Sequence, residues 1–294
     1  MISKEIIKKV RRIQITTSRK VTDIFAGQYQ SVFKGVGMEF DEVREYMPGD
    51  EIRSIDWNVT ARTGKPYIKK FSEERELTIM LLLDVSMSCR FGTKERLKSD
   101  IAAEICSVIA LSAIQNNDNV GMLTFTDRVE KFVPPRKGLR HVLRVVREAI
   151  YNEPQGSGTD INNILEHLNH VTTRRTITFL ISDFLAPDFK KTLSITNKRH
   201  DVIAVNIMDP SEYELPEAGI VALHDAETGE PYLVDTQDKN LRDIYKKDAV
   251  KMLEEKSKMF RSVNVDSVDI FTDKSYVEPL IRFFRTRERR RARR

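Results

Sequence analysis

The chain has 294 residues, with Lys+Arg 49 against Asp+Glu 44 and a formal net charge of +5. Apolar residues make up 40% and charged residues 32%, with 12 Gly, 10 Pro and 2 Cys, which excludes a collagen-like or low-complexity chain and a disulfide scaffold. Two cysteines in this length suit a reducing compartment, and the length allows one large or two modest domains with a real core.

Residues 1–20 carry seven Lys and Arg against Glu5. Ile2, Ile6, Ile7, Val10 and Ile13 recur there at helical spacing, with the basic residues on the other face. No uninterrupted apolar stretch precedes a small-residue cleavage site, so the segment reads as a basic amphipathic helix rather than a secretory signal. Residues 21–76 form a second unit, in which short apolar pieces at 29–33 and 67–71 flank a charged stretch, 39–56, holding Pro48-Gly49-Asp50. This predicts a small β-rich or irregular module with turns.

From residue 77 the pattern becomes rhythmic. Residues 77–84 are a continuous apolar run ending in Asp84, the mark of a strand buried on both faces of a parallel sheet. A helix is expected over 94–115, where Leu97, Ile101, Ile105 and Val108 recur at intervals of three or four. Strands at 120–125 and 129–133 follow, then helices at 139–150 and 160–171, a central strand at 176–182, a helix at 189–198 and a strand at 202–207. Residues 220–223 and 232–234 flank Thr228-Gly229-Glu230 and predict a hairpin. A long helix at 239–260, a strand at 263–268 and a helix at 277–284 complete the series. Strands alternating with helices predict an α/β domain over 77–285 with a mostly parallel sheet flanked by helices.

Residues 286–294 form an Arg-rich tail. Residues 282–294 carry eight Arg against Glu288, which leaves residues 21–281 at −8. The body is acidic and two short ends make the chain basic. Those ends read as a docking helix and a solvated tail, or as contacts to an acidic partner, an anionic membrane surface or nucleic acid. The longest apolar run, 79–83, is far short of a membrane span, so a cytoplasmic location is expected.

Sites in open α/β sheets form at the carboxyl ends of the strands, and three such ends carry oxygen ligands. They are Asp84-Val-Ser86-Met-Ser88, Gly156-Ser-Gly-Thr159-Asp160 and Ser182-Asp183. In an extended segment Asp84, Ser86 and Ser88 face one locus. Hydroxyls and two carboxylates, with no Cys or His, suit a hard octahedral cation, Mg²⁺ or Mn²⁺. Two carboxylates neutralise such an ion without excess, so an open position would attract a carboxylate from a partner. A plainer reading makes Ser86 and Ser88 turn caps and Asp183 a helix cap, but it leaves the joint spacing unexplained.

The set Asp84, Ser86, Ser88, Thr159 and Asp183 resembles the metal-ion-dependent adhesion site (MIDAS) of von Willebrand factor A domains, over about residues 77–285. The resemblance implies direct contact of Ser86 and Ser88 with the metal, contact of Thr159 directly or through water, and roles through water for Asp84 and Asp183. The hairpin near 219–235 departs from the minimal form of that fold.

The N-terminal module narrows the match. Gly37-Met-Glu39-Phe40-Asp-Glu-Val-Arg44-Glu-Tyr46-Met-Pro-Gly49-Asp50-Glu-Ile-Arg53-Ser-Ile-Asp56-Trp57, then Ala61-Arg62, resembles the signature of the "domain of unknown function 58" (DUF58) family. That resemblance implies a MoxR-type AAA+ ATPase as partner and a chaperone-like role in assembly or maturation of other proteins. Glu39, Arg44, Asp50, Arg53 and Asp56 are expected to form an ion-pair network around Tyr46 and Trp57, as a framework or as a docking surface.

Catalysis is not expected. The residue two positions after Asp84 is Ser86, not a second Asp, and no Gly-x-Ser-x-Gly elbow occurs. His167 and His170 lack a zinc-binding order, and nothing supplies a base for Cys89 or Cys106. The function expected is non-catalytic, metal-dependent protein interaction; the alternative is binding of nucleic acid or an acidic surface through the basic termini.

Overall fold

The computed structural model describes residues 39–72, 77–94, 96–224 and 231–292. The helix expected over 1–20 and the apolar piece at 29–33 lie outside these. Strands β1 (Glu39–Glu45) and β2 (Tyr67–Ser72) pair antiparallel, with a bulge between Phe40 and Glu42. Between them runs helix α1 (Trp57–Thr63), started by the Asp56 carboxylate, which accepts from the Asn58 and Val59 amides at 3.0 and 3.4 Å, groups a helix leaves without internal partners. The Arg44 guanidinium donates twice to Asp50, at 2.9 and 2.7 Å, and Asp50 also accepts from the Met47 amide at 2.8 Å. Arg44 first, then the Met47 amide, hold the Asp50 carboxyl below its usual range. The expected network around Trp57 is thus smaller in its described part: Arg44 and Asp50 clamp the turn, Asp56 caps a helix, and Trp57 stands 67% exposed. The side chains of Glu39 and Arg53 lie outside the described residues.

The main sheet has six strands in the order β10-β7-β6-β3-β4-β5. They are β3 (Thr78–Asp84), β4 (Asn119–Phe125), β5 (Val129–Arg136), β6 (Ile177–Ser182), β7 (Asp201–Met208) and, last in the chain, β10 (Asp266–Phe271). All neighbours run parallel except β5, which returns antiparallel to β4. The helices are α2 (Lys98–Gln115), α3 (Leu139–Ile150), α4 (Ile161–Val171), α5 (Lys190–Arg199), α6 (Lys239–Ser262) and α7 (Val277–Ala292). Residues of β3 alternate between two cores because a strand has a period of two. Ile79, Leu81 and Leu83 pack with Ile101, Ile105 and Val108 of α2 and Leu280 and Phe284 of α7. Met80 and Leu82 pack on the other face with Ile164 and Leu168 of α4, Leu193 of α5 and Phe260 of α6. Burial on both faces explains the unbroken apolar run. The α/β class with a mostly parallel, helix-flanked sheet is therefore what the residues build. The expected hairpin forms a separate two-stranded sheet, β8 (Ile220–His224) and β9 (Pro231–Asp235).

Four elements differ from expectation: α2 begins at Lys98 rather than 94, β5 runs on to Arg136 rather than 133, and the last strand and last helix have other bounds. The last strand begins at Asp266, not 263. Val263 and Val265 are buried against Phe260 in the turn that ends α6, and Asn264 turns the chain there with φ +55°. The last helix also runs on to Ala292 rather than ending near 284. Arg287 is buried and ion-paired with Asp201 and Asp266, and Arg290 reaches Asp266 at 3.1 Å. Part of what reads as a solvated Arg-rich tail is therefore docked helix, with two of its charges already answered by the acidic body.

At the opposite end of the sheet from the loops that follow β3 and β6, His200 is buried. Its Nδ1 accepts from the Thr176 hydroxyl at 2.9 Å and the Thr176 amide at 3.3 Å, so protonating Nδ1 would remove an acceptor. Burial, with smaller repulsion from Arg199 and Arg175, lowers its pKa to about 4. Because the unfolded chain takes up this proton near pH 6.5 and the folded chain only near 4, stability contributed above pH 6.5 is lost as pH falls through that window. The loss is on the order of 2–3 kcal/mol. Urea unfolding at pH 7.5, 5.5 and 4.5 should give a shallower acid slope for His200→Gln than for wild type; parallel slopes would refute the assignment.

Candidate metal centre

The order β10-β7-β6-β3-β4-β5 reverses direction between β3 and β6, and the crevice beyond the carboxyl ends of such a pair is where α/β sheets bind ligands. Asp84 ends β3 there, and Ser182 ends β6 with Asp183 directly after it. Both carboxylates are buried, Asp84 at 1% and Asp183 at 2% exposure. Asp84 accepts from the Ser86 amide at 3.0 Å through Oδ1 and from the Ser182 hydroxyl at 2.6 Å through Oδ2. Burial, and secondly the charge of Asp183, raise the Asp84 pKa to about 6 despite these bonds. Two ionised carboxylates in one buried locus repel and disfavour the doubly charged state, so the pair is poised for a compensating cation.

The loop after β3 is extended only as far as Ser86, then turns through a short 3-10 helix at Met87–Arg90. The simple alternation expected for Asp84, Ser86 and Ser88 fails at that turn. Even so, the Ser86 and Ser88 hydroxyl oxygens lie 3.0 Å apart, and Ser86 bonds Asp84 through both its amide and its side chain. After Asp183 the chain turns sharply: Phe184 has φ +53°, an unusual conformation for a bulky residue. Its ring is held between Phe189 and Phe260, with centroids at 5.9 and 5.0 Å.

Thr159 is half-buried on the loop entering α4, whose cap is the neighbouring Asp160. That loop is tied to the same edge from two sides. The Met87 amide donates to the Ser157 carbonyl at 3.1 Å, and the Asp160 amide to the Thr126 carbonyl at 2.9 Å. Glu130 of β5 accepts from the Gly156 amide at 2.8 Å, the Gln155 amide at 3.0 Å and the Thr126 hydroxyl at 2.7 Å. Burial opposes ionisation of Glu130, but these donors prevail and its pKa lies below the usual value.

Several neighbours escape sequence reasoning. Cys89 has its sulfur, with carboxylate oxygens of Asp84 and Asp183, in one group of atoms all within 4.8 Å of one another. Burial, then Asp84 and Asp183, push its thiol well above the ordinary pKa, so it stays neutral and leaves the hard-donor character of the set to oxygen. Lys98 is 1% exposed and donates to Asp183 Oδ2 at 2.8 Å and Glu212 Oε1 at 2.5 Å. Lys256 donates to the Asp183 carbonyl at 2.5 Å. Glu130 and Glu212 carry no local signal. Lys98 carries none either, because the helix expected over 94–115 puts it inside the helix and only the structure places it at the start of α2. Asp84, Cys89 and Asp183 thus form a buried group that could hold a metal ion, with the Lys98 ammonium already seated on Asp183.

The sequence profile described as "Protein of unknown function DUF58" matches residues 42–255. An uncharacterized protein of Mycobacterium tuberculosis is 30% identical over 285 residues, 95% of this chain and 89% of its own length. The crystal structure of an aerotolerance-related membrane protein from Bacteroides fragilis aligns over 73% of this chain and 99% of that chain, at 13% identity and a TM-score of 0.49. Proximal thread matrix protein 1 from the mussel byssus, with a zinc-occupied MIDAS motif, aligns over 46% of this chain and 38% of that chain, at 18% identity and a TM-score of 0.37.

Proposed function

The chain belongs to the DUF58 family of proteins of unknown function, and on that premise we propose that it is a non-catalytic, metal-dependent protein-interaction module of the von Willebrand factor A type. One observation supports this above the others: Asp84, Asp183 and the Ser86–Ser88 hydroxyl pair converge, largely buried, at the switch point of the sheet. A bound Mg²⁺ or Mn²⁺ would supply an open coordination position with affinity for a carboxylate. Ser86, Ser88 and Thr159 would hold it through their hydroxyls, with Asp84 fixing the Ser86 backbone and Glu130 pinning the loop that carries Thr159. Met87, between Ser86 and Ser88, and Leu185, two positions after Asp183, are exposed and offer apolar contact beside a charged centre, the composition of a protein-binding surface.

A non-catalytic role accords with burial holding the Cys89 thiol at the locus well above its ordinary pKa. Among the described residues no helix is long and apolar enough to cross a membrane. With Cys89 and Cys106 free and buried, we place the protein in the cytoplasm. The partner proposed, on the family resemblance, is a MoxR-type AAA+ ATPase presenting an Asp or Glu, with chaperone-like assembly or maturation of other proteins as the outcome. The test is capture of that ATPase by the tagged full-length chain. Capture in Mg²⁺ and its loss in EDTA are expected; equal capture in EDTA overturns the metal-bridged reading.

A further inference from the structure

Lys98 stands where a lysine is least expected. It is the first residue of α2, an 18-residue helix whose amino end carries partial positive charge, and its side chain is almost wholly shielded from water. Burying an ammonium there is unfavourable unless it is paired. The pairing is double: Asp183 at 2.8 Å and Glu212 at 2.5 Å. One of the two carboxylates that would face a metal is therefore already neutralised from within.

Glu212 is fixed to the surrounding loops. Its other oxygen accepts from the Asp209 amide at 2.9 Å. The Asp209 carboxylate accepts from the Thr93 amide and hydroxyl, at 3.0 and 2.5 Å, and from the Thr272 hydroxyl at 2.7 Å. The loop leading into Lys98, the turn after β7 and the end of β10 thus meet at one pair of acidic residues that also holds the ammonium.

This geometry points to Lys98 as a built-in counter-cation that competes with the metal for Asp183, with Glu212 as the carboxylate that retains the ammonium when Asp183 turns to the metal. The inference rests on the metal reading proposed above. It makes the site a weak one at rest and links its occupancy to the turn at 209–213. Removal of the ammonium tightens ion binding, whereas a lysine that merely positioned Asp183 would have the opposite effect.

The experiment is Mn²⁺ affinity, by calorimetry or by the electron paramagnetic resonance of free Mn²⁺, on the full chain. Lys98→Met should bind about 10-fold tighter or more, Lys98→Arg should stay near wild type, and Glu212→Gln should bind several-fold more weakly because Lys98 then rests on Asp183 alone. In the Lys98→Met background Glu212→Gln should add little, since its effect passes through Lys98. Unchanged or weaker binding in Lys98→Met overturns the inference. Circular dichroism checks that the variant folds; where it does not, Glu212→Gln decides, and unchanged or tighter binding overturns the inference equally. Saturable binding that is lost in Asp84→Asn but indifferent to Lys98 sinks this inference alone, whereas no saturable binding in wild type and Lys98→Met alike sinks the metal reading itself.

Discussion

Asp84→Asn is expected to leave the metal-free chain at least as stable as wild type while removing its stabilisation by Mg²⁺ or Mn²⁺. The amide is isosteric, its oxygen can still accept from the Ser86 amide, and the Ser182 hydroxyl can rotate to accept from the new NH₂. What disappears is a buried charge beside Asp183, and burial and that neighbour already raise the Asp84 pKa to about 6. At pH 7 the ionised carboxylate is therefore a cost to the folded chain, because a raised carboxyl pKa favours the folded state only below it. The relief on substitution is on the order of 1–3 kcal/mol before the lost hydrogen-bond strength is set against it. The metal contribution runs the other way. A cation at 100 times its Kd stabilises wild type by about 2.7 kcal/mol, roughly 4–5 °C in Tm for a chain of this size, and Asp84→Asn should show almost none of it. Thermal unfolding of both proteins in EDTA, Mg²⁺ and Mn²⁺ reads the two effects separately. A metal shift that persists in Asp84→Asn removes Asp84 from the site, and a lower EDTA Tm makes its carboxylate structural.

The opposing signs explain why this edge was legible in the sequence while its balance of charge was not. Asp84 closes an apolar run, Asp183 closes another, and each position follows from a local pattern that a strand buried on both faces must have. Helix α3 was equally plain, since Val142, Val145, Val146 and Ala149 recur at helical spacing and are the residues that are buried. Lys98, by contrast, meets Asp183 and Glu212 across 85 and 114 positions of sequence. No window around Lys98 contains its partners, and a lysine within a helix ordinarily reads as solvated. Arg287 is the same case: Asp201 lies 86 positions away, so the extra length of α7 depends on a carboxylate that composition counts but does not place. The mistaken start of β10 has a different cause. Val263 and Val265 are apolar because they cover Phe260 in a turn, and an apolar run records burial without recording whether a strand or a turn is being buried.

The loop that carries Thr159 provides the second large effect, through Gly156→Ala. A Cβ at Gly156 would lie 1.9 Å from Asp127 Oδ1, 2.2 Å from Thr126 Oγ1 and 3.0 Å from Thr126 Cβ. Asp127 is exposed and can swing aside. Thr126 cannot, because it is fully buried, its hydroxyl donates to Glu130 and its carbonyl accepts from the Asp160 amide. The loop must therefore retreat, and retreat breaks the Glu130 bonds to the Gln155 and Gly156 amides together with the Ser157–Met87 link to the serine loop. Gly156→Ala should lower stability by about 1–3 kcal/mol and weaken Mn²⁺ binding by about 10–100-fold, the scale seen when groups that orient metal ligands are lost. Adding Asp127→Ala should restore little, since Thr126 remains in the way, whereas Glu130→Ala should reproduce much of the binding loss without any steric insertion. The agreement of those two variants would show that loop position, not bulk, carries the effect. Calorimetric Mn²⁺ titration beside urea unfolding measures both quantities, and wild-type affinity in a folded Gly156→Ala protein would exclude the Thr159 loop from the metal centre.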